Sequence, residues 1–163
     1  MKVLGVAVSS GAIHYGALTV AQDISYTPGA PERLVPAMGL TGAQRLGDTH
    51  LRIAQELRVL QPDAVIIVAT RKNNQWVYRE AFDRISLVSA LMLSCVEQGV
   101  TCEEWSTERI GKLVGIPAPK LASFDCKEVG FAQVPLYWTA GRGSAFAAAK
   151  AYAVETSSES SEG

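Results

Sequence analysis

The sequence is short of the residues that usually announce a chemistry. Its 15 basic and 16 acidic residues leave a net charge of −1, so no global field draws it to nucleic acid or to an anionic membrane, although a local basic patch is still compatible with that balance. Its three cysteines, Cys95, Cys102 and Cys126, are odd in number and lack Cys-x-x-Cys spacing. That pattern argues against a disulfide framework, and Cys95, set in an apolar helical pattern, reads as a buried reduced thiol. The two histidines, His14 and His50, have no Cys or carboxylate at metal-ligand spacing and read as structural or exposed. Neither Gly-x-Ser-x-Gly nor a Walker phosphate loop is present, so the serines at 9 and 10 beside Gly11 make no esterase elbow. No apolar run reaches membrane-spanning length, and Met1-Lys2-Val3-Leu4 passes directly into a strand pattern, which predicts a cytoplasmic protein without a signal peptide or membrane contact.

What the chain does have is apolar content, 48% over 163 residues, enough for one domain with a real core. Val65, Ile66, Ile67 and Val68 form an unbroken β-branched run, which reads as a central strand buried on both faces. It stops abruptly at Arg71-Lys72-Asn73-Asn74, and no carboxylate stands where it ends. Sites in α/β sheets gather at such carboxyl ends.

The elements follow from period and punctuation. Val3 to Ser9 and Ile13 to Ala21 form a hairpin about Ser10-Gly11, with a third strand near Ile24 to Thr27 and a proline-rich loop from Pro28 to Pro36. Helical spacing predicts helices over Thr41 to Leu60 and Arg79 to Gln98, the second with a wide apolar face from Phe82 to Cys95. A strand over Val100 to Trp105 precedes a helix capped by Ser106 or Thr107 and ended by Gly115. A further helix is expected near Lys120 to Glu128, then a glycine-bearing loop from Tyr137 to Gly143, then an alanine-rich helix from Ser144 to about Ala153. The order predicts an α/β fold: a mixed sheet, antiparallel hairpin or meander plus parallel strands, with helices on both faces. The domain is expected over residues 1–154, followed by a disordered Ser/Glu-rich tail over 155–163.

Four pieces in order carry a resemblance. Leu4-Gly5-Val6-Ala7 is similar to a first strand reading Leu-Gly-Ile-Asp, and Tyr15-Gly16 falls where a second strand reads Gly-Tyr-Gly. Gln61-Pro62-Asp63-Ala64 through Val68 is similar to a Pro-Asp strand ending in Glu, with Lys72-Asn73 near a following Lys-Asn. Val114-Gly115-Ile116 leads to Lys120 as a similar segment leads to a basic residue, and Gly141-Arg142-Gly143-Ser144-Ala145-Phe146-Ala147 lies over Asp-Ala-Ala-Asp-Ala-Leu-Ala. Over residues 2 to 153 the chain thus resembles the RuvC branch of the RNase H-like superfamily, the Holliday-junction resolvases.

The resemblance implies an RNase H-like fold, a homodimer, and four carboxylates that hold divalent metal for phosphodiester cleavage. At the matching positions this sequence has Ala7, Val68, Gly141 and Ser144. The expectation is therefore a pseudo-nuclease with no cofactor, acting as a nucleic-acid- or protein-binding module. The alternative is a metal-dependent, structure-selective nuclease whose ligands are rearranged or supplied by a partner chain. Asp23, Asp63, Glu80 and Asp83 are not expected at the first strand's carboxyl end. Ser9, Ser10, Arg71, Lys72, Asn73, Lys120 and Arg142 are the candidates for holding a phosphate of branched or duplex nucleic acid, with Trp76 as a stacking residue. Read plainly, the same residues are solvated charges and a packing aromatic on a scaffold kept for protein contacts.

Overall fold

The computed structural model describes residues 1–9, 11–70 and 75–163. Strand β1 (Lys2–Ser9) pairs antiparallel with β2 (Ala12–Val20), which in turn pairs with β3 (Tyr26–Gly29) and the short β4 (Arg33–Leu34). Helix α1 (Gly42–Leu60) leads to β5 (Ala64–Val68), and α2 (Tyr78–Glu97) leads to β6 (Thr101–Trp105). Both of these strands run parallel to β1, so the sheet order is β3-β2-β1-β5-β6 with β4 beside β2. The predicted mixed α/β sheet is present, but β1 and not β5 lies at its centre; β5 sits between β1 and β6 and is buried.

Pleating divides the core in two. Leu4, Val6, Val8, Ile13, Tyr15, Val65 and Ile67 face Ile53, Leu57, Leu87 and Leu91 of α1 and α2. Val3, Leu18, Ile66 and Trp105 face the opposite layer, built from α3 (Thr107–Val114) and α4 (Gly143–Glu162). Helix α4 lies unusually close to the sheet. A Cβ built on Gly5 would come within 1.7 Å of the Ala145 carbonyl oxygen, and one on Gly16 within 2.4 Å of the Phe146 nitrogen. Glycine on the strands and alanine at 145, 147, 148, 149, 151 and 153 on the helix, all of these alanines buried, make that approach possible.

Ser106 caps α3 as expected, its hydroxyl accepting the Arg109 amide at 3.2 Å. Three boundaries differ from the sequence reading. The segment expected as one helix near Lys120 to Glu128 is two 3-10 turns, Ala118–Ser123 and Cys126–Val129. Pro117 and Pro119 shape the first, and Asp125 caps the second by accepting the Lys127 amide at 3.0 Å. The loop expected from Tyr137 to Gly143 is a wide helical turn, Trp138–Arg142, pinned where Trp138 Nε1 donates to the Phe124 carbonyl at 2.6 Å. Helix α4, expected to stop near Ala153, continues through the Ser/Glu-rich stretch to Glu162. There the hydroxyls of Thr156, Ser157, Ser158, Ser160 and Ser161 donate back to carbonyls one turn earlier, giving each polar side chain a local partner on the helix.

All three cysteines are free. The Cys95 thiol is pushed strongly up by its hydrogen bond with Cys102 and by burial, which keeps it inert. Among the described residues no helix is long and apolar enough to cross a membrane.

Candidate functional site

At the carboxyl ends of β1 and β5 the sheet opens into a cleft of about 670 Å3. The elements converge there because β1 and β5 are parallel neighbours and the turn Trp138–Arg142 delivers α4 onto the same edge. Ala7, Ser9, Val68, Gly141 and Ser144 all line it, with Val8, Ala69, Gln75, Trp76, Arg84, Thr107, Ala122, Thr139 and Ala140. Ala7, Val68, Gly141 and Ser144, the positions marked by the resemblance, therefore share one space. No Asp or Glu is among the residues lining it.

A divalent cation of the kind the resemblance implies needs oxygen ligands, with carboxylates as its main protein anchors. Those four positions offer a methyl, an isopropyl, a glycine hydrogen and one hydroxyl, and that donor set does not fit the ion. Among the described residues no group of three or more His, Cys, Asp or Glu is placed to hold a metal. Asp63 sits at the far end of the sheet, where its Oδ2 accepts the Lys2 amide at 2.8 Å. Glu80 and Asp83 correct the expectation, because they line a recess next to the cleft together with Val8, Ser9, Gly11, Trp76 and Arg84. The first two turns of α2 bring them to the end of β1, which β-strand spacing alone does not reveal. Asp83 is engaged by Arg45 at 3.1 Å.

Among the described residues, the charge in the cleft comes from Arg84. Its Nε donates to Thr70 Oγ1 at 3.0 Å, and its guanidinium carbon stands 4.9 Å from the centre of the Trp76 ring. Burial lowers its pKa, and among the described residues no carboxylate forms an ion pair with it. A half-buried guanidinium without a counter-charge favours an anion beside it. Sequence reasoning missed Arg84 although helical spacing contains the signal. It precedes Leu87, Leu91 and Cys95 of the buried face by intervals of three and four residues, so it lies on the inward side of α2 one turn before the core begins.

The predicted binding residues fare unequally. Ser9 and Trp76 line the cleft, and the Ser9 hydroxyl donates to the Ala140 carbonyl, tying β1 to the turn. Lys120 is exposed on the 3-10 turn that contributes Ala122 to the cleft, but does not itself line it. Arg142, expected at the mouth, is 3% exposed. The turn directs its side chain inward, where Nη1 donates to the Leu136 carbonyl at 3.3 Å and the guanidinium lies 5.6 Å from the Phe146 ring centre. Ser10, Arg71, Lys72 and Asn73 lie outside the described residues.

Comparison with solved structures decides the fold. The chain superposes on Thermus thermophilus RuvC with a TM-score of 0.79 at 16% identity, covering 98% of this chain and 97% of that one. The chain has the RuvC fold. The structure of T. thermophilus RuvC in complex with a Holliday junction substrate matches equally, at TM-score 0.79 and 17% identity over 96% and 95% of the two chains. The yeast mitochondrial Holliday junction resolvase matches at TM-score 0.57 and 11% identity, over 93% of this chain and 75% of that one. No protein-family model and no curated protein matches the sequence. The RNase H-like assignment from four short sequence pieces is thus correct at the level of fold.

Proposed function

We propose that this RuvC-fold chain is a non-cleaving binding module that takes a nucleic-acid phosphate directly in the cleft, without a bridging metal. The observation that carries the reading is the composition of that cleft. Alanine, valine, glycine and serine meet where the resemblance puts four acids, and among the described residues Arg84 is the charged side chain beside them. A phosphate there pairs with Arg84 and accepts from the hydroxyl of Ser144. Trp76, beside Arg84, offers a stacking face to an unpaired base. T. thermophilus RuvC is known with a Holliday junction substrate, so branched and duplex DNA are the first ligands to test.

The module acts as a homodimer through α1 and α2. Phe82 (55% exposed), Ile85 (62%) and Leu93 (53%) leave the apolar face of α2 open to solvent. They line a groove of about 770 Å3 with Leu46 and Tyr78, and a contiguous apolar surface of this kind suits an association face.

The other reading, a metal-dependent nuclease with rearranged or partner-supplied ligands, draws on Glu80 and Asp83 in the adjoining recess. Binding measured against salt, with wild type and Arg84→Gln, tests the leading reading. Arg84→Gln is expected to weaken DNA binding about tenfold and to reduce the salt slope by about one ion. No binding at low salt, or binding indifferent to Arg84, rejects it.

A further inference from the structure

Under the turn Trp138–Arg142, three basic side chains from three elements meet. His14 on β2 and Arg33 on β4 are directly opposite in the ladder, so their side chains leave the sheet on one face. Arg142 reaches in from the turn. His14 is 2% exposed and Arg142 3%, and Arg33 is half-buried. None of the three lines the cleft; Gly141, packed against the His14 ring, stands between.

This cluster is short of partners. Both ring nitrogens of His14 and the Nε atoms of Arg33 and Arg142 are buried with no protein hydrogen-bond partner. Arg142 spends Nη1 on the Leu136 carbonyl, and the Arg33 guanidinium stacks 4.0 Å from the Tyr137 ring centre. Glu32 faces Arg142 favourably, but among the described residues it forms no ion pair with either arginine. The Ser9 backbone carbonyl approaches the imidazole as a weak acceptor, short of a full hydrogen bond. Burying cations without counter-charges or hydrogen bonds costs several kcal/mol, and buried polar groups are nearly always satisfied.

We propose that His14, Arg33 and Arg142 form a receptor for a small free oxyanion of the phosphate or sulfate type. Such an ion supplies acceptors for the Nε–H groups of Arg33 and Arg142 and for the one N–H of the neutral His14 ring, and it neutralises two guanidinium charges with oxygens that match the guanidinium fork. The enclosure of His14 and Arg142 excludes a phosphate within a polymer. Arg33 and Tyr137, the latter 48% exposed, form the outer side through which the ion enters. Bound there, it braces the turn that presents Gly141 and Ser144 to the cleft.

The chain has two histidines, so proton NMR of their rings reads this site directly. Inorganic phosphate is titrated into the full chain at constant ionic strength, with chloride as the exchanged ion. His14 is expected to shift saturably while His50, on α1 beside Glu97 at 3.3 Å, stays still. Arg33→Gln, at a half-buried position where glutamine keeps much of the side-chain length, is expected to weaken the response at least tenfold, whereas Arg84→Gln leaves it intact. Small, linear shifts in both rings, or an Arg33→Gln response equal to wild type, overturn the proposal. The fate of DNA binding has no bearing on this result, so the two readings fail separately.

Discussion

The imidazole of His14 occupies the space that any side chain at Gly141 needs. A Cβ at position 141 would lie 2.5 Å from His14 Cδ2 and 3.0 Å from its Cβ. Glycine at 141 is therefore required by packing, and an acid cannot be placed there while His14 keeps its position. Gly141→Asp is expected to lower stability by at least ~2 kcal/mol, the scale of overpacking together with an unpaired buried carboxylate. His14→Ala combined with Gly141→Asp is expected to recover part of that loss. Denaturant unfolding of the two single variants and the double variant measures the coupling; strict additivity contradicts the steric account.

His14 also fixes a pH dependence. Burial, then the positive charges of Arg33 and Arg142, lower its pKa from the ordinary value of 6.5. The unfolded chain thus takes up a proton that the folded chain refuses. His14's contribution to stability is complete above about pH 6.5 and is lost as pH falls towards the lowered folded value. Thermal unfolding in a buffer free of oxyanions is expected to show Tm falling from near pH 6.5 downward, and His14→Gln is expected to flatten that part of the curve. An unchanged profile in His14→Gln contradicts the assignment.

Much of the architecture was legible because periodicity reports it directly. The four-residue β-branched run Val65–Val68 and the helical face from Phe82 to Cys95 became β5 and α2 within one or two residues. The site was less legible. Arg142 follows a glycine in a polar-looking segment, and nothing local shows that the turn sends it inward onto Phe131 and Phe146. Arg84 had the right helical spacing, but a charge on an apolar face reads as an interruption until the strand ends are placed beside it. Helix α4 runs on to Glu162 through a Ser/Glu-rich stretch whose hydroxyls donate to carbonyls one turn earlier, contacts that composition does not report.

The close seat of α4 depends on Gly5. Adding one methyl puts carbon 1.7 Å from the Ala145 carbonyl oxygen, so helix and strand must separate along a fully buried alanine face. Gly5→Ala is expected to cost ~2 kcal/mol or more and to lower Tm by about 4–8 °C for a domain of this size. A Tm unchanged within about 1 °C shows that the helix yields easily.

If α2 carries the dimer contact, a charge in the middle of its open face disrupts it. Ile85→Glu is expected to convert a dimer to a monomer in sedimentation at micromolar concentration, with the fold retained by circular dichroism, since Ile85 is 62% exposed. A wild-type chain that sediments as a monomer throughout removes the dimer from the account.

The central claim is that Ala7, Val68, Gly141 and Ser144 leave the cleft unable to gather cations while Arg84 holds the phosphate without them. The most direct measurement incubates the protein with labelled four-way-junction DNA in magnesium, in manganese and in chelator, and follows binding and strand integrity in the same samples. The account predicts intact strands under all three conditions and the same affinity with chelator as with magnesium at matched ionic strength. Junction cleavage that appears with either metal and disappears with chelator contradicts it.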